Sequence, residues 1–138
     1  MNTAILWPAL LVVALTMFIY LPTFLRRMAL VKAGRQRMRD FRTYENEVPE
    51  SLQMSRAIAN QYETPVLFYF LVLSSMTAGL ADTGMVALAW AYAILKSLHV
   101  VIHMTSNRLE HRLPVFSLSF ATLVLMLMWL AIRLSGLA

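Results

Sequence analysis

Four long apolar runs constrain what this chain can fold into more than any other feature of its sequence. They cover about residues 3–25, 55–80, 84–104 and 113–134, and each is near the roughly 20 residues that a helix needs to cross a membrane. Only 14% of the residues are charged, whereas soluble domains carry charge on about a quarter. The sequence therefore predicts an all-α membrane protein, a single domain over 1–138 folded as a four-transmembrane-helix bundle.

The basic residues predict the orientation of these spans. Seven of the twelve lie between Arg26 and Arg42, directly after the first apolar run, and loop 105–112 carries Arg108 and Arg112. By the positive-inside rule, loops 26–54 and 105–112 face the cytoplasm and both termini face outward. A basic run can also bind nucleic acid, but its place beside an apolar run favours the membrane surface, and no nucleic-acid partner is expected.

The first apolar run and the cysteine content limit the chemistry further. No basic region precedes the first run, and it is too long for the core of a signal peptide, so we expect a retained anchor. Cysteine is absent, which excludes disulfides, thiolate metal sites and a cysteine nucleophile. Any thiol chemistry must use a thiol that a ligand brings.

Polar residues interrupt the second run on one helical face. Arg56, Asn60 and Glu63 are spaced i, i+4 and i+7, which aligns their side chains along a helix. Pro65 follows and loosens the backbone hydrogen bonding. Ahead of them, Val48-Pro49 predicts a helix start, since proline suits the first helical turn.

A second polar face is predicted in the third run. Lys96, His99 and His103 are spaced i, i+3 and i+7, and Arg112 opens the fourth span. Helical rise places both polar faces in the cytoplasmic half of the bilayer, so they can meet at one depth. An ion pair that sets helix register and ordinary interhelical polar contacts are the simplest explanation. Ionisable side chains inside a membrane are nevertheless functional candidates by default.

The charges of the two faces predict the kind of ligand. Arg56, Lys96 and Arg112 carry positive charge and Glu63 carries negative charge. Arginine forks bind carboxylates well, and a carboxylate suits an ammonium group. A ligand with carboxylates, one amine and a thiol would complement this set.

These residues resemble those of a known family. The stretch from Arg56 through Asn60 and Glu63 to Pro65 is similar to the RxxxNxxE signature, followed by proline, in the second helix of the MAPEG family, the membrane-associated proteins of eicosanoid and glutathione metabolism. The stretch from Lys96 to His103, followed by Arg112, resembles that family's third-helix RxxHxxxY stretch and the arginine that opens its fourth helix. The resemblance covers nearly the whole chain.

The resemblance implies a homotrimer with glutathione bound between protomers near the cytoplasmic face. It implies a transferase or peroxidase acting on a lipophilic substrate that arrives through the membrane lipids. Arg112 would stabilise the glutathione thiolate, and an arginine at the end of the first helix, Arg26 or Arg27, would join the site. The other residues implied to bind glutathione are Arg56, Asn60, Glu63, Lys96, His99 and His103.

Two departures from the family pattern bear on catalysis. Lys96 stands where the family often has arginine, and His103 stands where it has tyrosine. Lysine keeps the charge without the bidentate fork, and the charge of histidine depends on pH. The departures indicate a divergent, bacterial inner-membrane branch, and they leave open a non-catalytic scaffold or accessory subunit. Haem or metal binding by His99 and His103, at i and i+4, is a weaker alternative.

Overall fold

The computed structural model describes residues 2–42 and 46–136, and the regular structure in these residues is helical. Residues 43–45 of the loop predicted over 26–54 lie outside the described part. Short 3₁₀ helices cover Thr3–Ile5 and Met38–Arg42. The α-helices are α1 (Leu6–Phe18), α2 (Tyr20–Lys32), α3 (Pro49–Ala59), α4 (Thr64–Thr77), α5 (Thr83–Met104) and α6 (Leu109–Leu134).

Three helical stretches among the described residues are long and apolar enough to cross a membrane: Thr3–Lys32, Thr83–Met104 and Leu109–Leu134. The first contains both α1 and α2, since Ile19 between them keeps helical angles, with φ −62° and ψ −23°. Pro22 has no N–H to donate to the preceding turn, which weakens the ladder next to this junction. These stretches correspond to three of the four predicted apolar runs.

The second predicted span differs from the expectation of one helix over 55–80. It is divided into α3 and α4 by the turn at residues 60–63, and α4 has only 14 residues. Glu63 is not helical, with φ −94° and ψ −91°, and Pro65 lies in the first turn of α4. Proline cannot donate to the helix that precedes it, so it starts a new helix instead. The helix start predicted at Val48-Pro49 is confirmed, because α3 begins at Pro49.

An apolar core joins α1, α4, α5 and α6. Its largest fully buried side chains include Phe68, Met85, Tyr92 and Met126, and the rings of Phe68 and Tyr92 stack with centroids 4.4 Å apart. Lipid is as apolar as this core, so close packing rather than removal from water holds such helices together. The core fixes the register of α5 and therefore the direction of its polar face.

A buried ion pair attaches the first loop to α2 and α3. Arg27 Nη2 lies 2.9 Å from Glu47 Oε1, and the Glu47 side chain is fully buried. Ser51 and Ser55 donate hydrogen bonds to the same carboxylate, and Phe41 packs its ring 4.8 Å from the guanidinium carbon. The neighbouring hydroxyls satisfy the buried carboxylate oxygens, which offsets the cost of removing that carboxylate from water.

The turn between α4 and α5 is tied to α6 by Asp82. Its carboxylate accepts hydrogen bonds from the Met85 N–H at 2.8 Å and from Trp129 Nε1 at 3.2 Å, and Arg133 Nε lies 3.7 Å away. The Met85 N–H at the start of α5 contributes most to lowering the pKa of Asp82 below its ordinary value. The ionised carboxylate is therefore a stable cap for α5 at neutral pH.

Gly84 gives the first prediction, because α6 passes directly over it. A Cβ built at Gly84 would lie 2.7 Å from Trp129 Cζ2. We expect Gly84→Ala to destabilise the protein by about 1 kcal/mol, since the indole must shift although its Nε1 is hydrogen-bonded to Asp82. The measurement is the apparent melting temperature of the purified protein in detergent.

Trp129→Phe supplies the matched test of this contact. Phenylalanine lacks the second ring that meets the added methyl group. The double variant Gly84→Ala/Trp129→Phe should therefore lose less stability than the sum of the losses in the two single variants. Additive losses would show that the alanine acts elsewhere.

Candidate functional site

Lys96 is fully buried, and its ammonium group is directed into the turn between α3 and α4. Nζ donates to the Asn60 carbonyl oxygen at 3.0 Å, to Asn60 Oδ1 at 2.9 Å and to Thr64 Oγ1 at 3.2 Å. Tyr92 Oη donates to the same threonine hydroxyl at 3.2 Å. Three acceptors match the three N–H bonds of an ammonium group.

The position of Lys96 has a local cause. Asn60 follows the last residue of α3, so its carbonyl lies at the negative end of that helix and lacks a helical partner. The ammonium of Lys96 gives this carbonyl a hydrogen-bond donor and so stabilises the break between α3 and α4. Lys96 is one of the predicted ligand-binding residues, but in the described part of the chain its hydrogen bonds are to Asn60 in the turn and to Thr64 in α4.

The polar face of α5 opens into a cavity of ≈ 240 Å³, which we call the histidine cavity. It brings together four of the predicted site residues from three separate helices or turns. Its apolar wall comes from the first turns of α6. The lining residues are Asn60, His99, His103, Leu109, Arg112, Leu113 and Phe116.

His99 is the least satisfied polar group of this cavity. The residue is 3% exposed, and neither Nδ1 nor Nε2 makes a hydrogen bond of good geometry among the described residues, although the backbone of Arg112 lies near the ring. Its ring lies 5.5 Å from Phe116 and 5.7 Å from His103, centroid to centroid. A buried polar atom without a partner is costly. The unpartnered imidazole nitrogens therefore indicate room for the polar group of a ligand.

Arg112 reaches the cavity from the first turn of α6 and is half-buried. Its Nη1 donates to Asn107 Oδ1 at 2.7 Å. Asn107 precedes the helix and has a φ of 50°, the only positive φ of a non-glycine residue in the described ranges. Sequence reasoning missed Asn107, and its one available signal was that asparagine tolerates this left-handed conformation.

Arg56 and Glu63 lie outside the histidine cavity and are exposed. Glu63 is close to the turn, where Asn60 Nδ2 donates to its Oε2 at a long 3.5 Å. Arg56 lines a larger depression of ≈ 600 Å³ between α2 and α3, which we call the arginine cavity. Arg27 lines it too, together with Tyr20, Thr23, Phe24, Leu52, Ser55, Ile58 and Ala59.

The two candidate arginines of the first helix are separated by the fold. Arg27 shares the arginine cavity with Arg56. Arg26 lines a different, mainly apolar cavity of ≈ 300 Å³ beside Met54, Val100 and Met104. The predicted set is thus divided among three cavities, which have no lining residue in common, while Glu63 and Lys96 line none of the three.

Metal coordination finds little support in the described part of the chain. It contains no group of three or more histidine, cysteine, aspartate or glutamate side chains placed to hold a metal ion. His99 and His103 stand as a pair with their rings edge to face. Two ligands are fewer than the three or four that zinc sites take from protein.

Taken together, the helices and the cavity define an all-helical membrane protein with a cationic, histidine-lined site between its helices. The model of the MAPEG family matches residues 4–132, nearly the whole chain, and the chain belongs to this family. The resemblance drawn from the polar faces is therefore confirmed. Neither a curated protein nor a solved structure matches the chain.

Proposed function

We propose that this protein is a membrane-bound, glutathione-dependent transferase that acts on lipophilic electrophiles. The observation that carries the proposal is the histidine cavity, where the unpartnered His99 imidazole and the Arg112 guanidinium line one small space. Family membership supports it, because MAPEG proteins generally use glutathione. Leu109, Leu113 and Phe116 provide an apolar wall for a substrate that arrives from lipid.

In this mechanism the thiol comes from glutathione, since the chain has no cysteine. Arg112 lowers the pKa of that thiol by favouring the thiolate, which is the nucleophile. The sulfur forms a bond to the electrophilic carbon, and the leaving group departs with its electron pair. His99 and Asn60 orient the peptide part of glutathione, so the protein supplies position and charge rather than a nucleophile.

The arginine cavity suggests how the remainder of glutathione is held. Arg56 presents a guanidinium fork that suits a carboxylate, and exposed Glu63 suits the amine. The two cavities share no lining residue within one chain, and MAPEG proteins are generally homotrimers in membranes. We therefore place glutathione between protomers of a homotrimer. In each protomer the divided run over 55–80 crosses the membrane in addition to the other three spans, and both termini face outward.

Isothermal titration of the detergent-purified protein with glutathione tests the proposal. We expect measurable heat and a higher melting temperature at millimolar glutathione, because a ligand that binds only the folded state stabilises it. Ophthalmic acid, which replaces the thiol by a methyl group, separates binding of the peptide from recognition of the sulfur. Absence of both heat and stabilisation would refute the proposal.

A second candidate is an accessory subunit that keeps the site without turnover. The engagement of Lys96 by Asn60 and Thr64 favours it, because that charge is not free to contact a ligand. Glutathione binding without conjugation of any activated aryl halide, epoxide or hydroperoxide would support this candidate over the transferase.

A further inference from the structure

In the loop between α5 and α6, Asn107 combines a left-handed backbone conformation with a side-chain hydrogen bond to Arg112. Asn107 has a φ of 50°, and its N–H donates to the Ile102 carbonyl at 2.8 Å, which closes the end of α5. Its side-chain oxygen accepts from Arg112 Nη1 at 2.7 Å. Asn107 therefore closes the end of α5 with its backbone and contacts the guanidinium of Arg112, in the first turn of α6, with its side chain.

The backbone requirement alone does not explain an asparagine. Glycine adopts a positive φ at no steric cost and is the usual residue at such helix ends. Gly34, Gly79 and Gly136 fill the other described positive-φ positions in this chain. Compared with glycine, asparagine adds a side-chain amide oxygen that accepts a hydrogen bond from Arg112.

Arg112 needs such a contact because its side chain is long and only half-buried. An arginine side chain has many rotamers, and its guanidinium has five N–H donors in a rigid fork. One short hydrogen bond at Nη1 restrains the plane of the fork in a residue that lines the histidine cavity, and it occupies only one of the two terminal nitrogens. A residue held in a sparsely populated conformation next to a site is a known means of such pre-organisation.

We propose that Asn107 is a positioning residue that holds the Arg112 guanidinium in the orientation that stabilises the glutathione thiolate. The inference rests on the proposed function, since it assigns the orientation of a residue of that same site. Asn107 does not contact the reacting atoms and acts only through Arg112.

Asn107→Gly is the sharp test, because glycine retains the backbone conformation and removes only the amide. We expect an unchanged or higher melting temperature, a higher pKa of the bound glutathione thiol, and conjugation about three- to tenfold slower at neutral pH. The thiol pKa is measured from the ultraviolet absorbance of the thiolate. The rate deficit should narrow as pH rises, because the thiol then ionises without help.

The Arg112→Leu background is the control. If Asn107 acts through Arg112, Asn107→Gly should add no further loss there. An equal loss in both backgrounds, or a wild-type rate and thiol pKa in Asn107→Gly alone, would overturn the inference while leaving the proposed function standing. A wild-type protein that neither binds nor conjugates glutathione would overturn both.

Discussion

Lys96→Met is expected to lower the apparent melting temperature of the protein by about 10 °C. The change leaves Asn60 with a part-buried carbonyl and amide oxygen that lose their donor, and it removes one partner of the buried Thr64. Each unsatisfied buried group costs about 1–3 kcal/mol, so a loss of about 3 kcal/mol or more follows, which corresponds to roughly this shift for a chain of this size. Thermal unfolding in detergent measures it.

The chain supplies a matched control for this substitution. It has only two lysines, and the other, Lys32, is exposed at the end of α2. Lys32→Met should change the melting temperature little, since surface substitutions stay within about 0.5 kcal/mol. Lys96→Arg keeps the N–H donors in a larger group, so its loss of melting temperature should lie between those of Lys96→Met and Lys32→Met. Equal effects of the two methionine substitutions would show that the turn at residues 60–63 does not depend on the ammonium.

Arg112→Leu is expected to slow conjugation by about ten- to thirtyfold at pH 7. A guanidinium beside an acidic group lowers its pKa by about 1–3 units, which raises the thiolate fraction at pH 7 to between about a quarter and nearly all of the bound ligand. Without Arg112 the thiol returns toward its free pKa of about 8.5, so only about 3% is thiolate at pH 7. The measurement is the initial rate with an activated aryl chloride over pH 6.5 to about 9.

The change of the rate loss with pH shows whether Arg112 acts by lowering the thiol pKa or only by positioning the ligand. The deficit should shrink as pH approaches about 9, where both proteins hold mostly thiolate, and a less stabilised thiolate is also the stronger nucleophile. Arg108→Leu is the control, because Arg108 is exposed in the same loop. A loss that stays constant across the range would mean that Arg112 only positions the ligand. Wild-type activity of Arg112→Leu would remove it from the mechanism.

The candidate site was partly predictable from residue spacing. Asn60, His99, His103 and Arg112 line one cavity, and helical periodicity had already placed the two histidines on one face. The location of Arg56 in a separate depression was not predictable, because it depends on how α2 packs against α3. Asn107 escaped notice because a single asparagine in a loop has no periodic pattern.

The sequence by itself determined the membrane class, the apolar helices and the family, because the length of an apolar run and the spacing of polar residues are properties of consecutive positions. Only the tertiary structure decided that the run over 55–80 divides into α3 and α4, and that Lys96 satisfies the turn between them. It also decided which arginines share a cavity and that Arg112 donates a hydrogen bond to Asn107. These features depend on contacts between residues that are distant in sequence or joined by an irregular loop, and those contacts arise only when the helices pack.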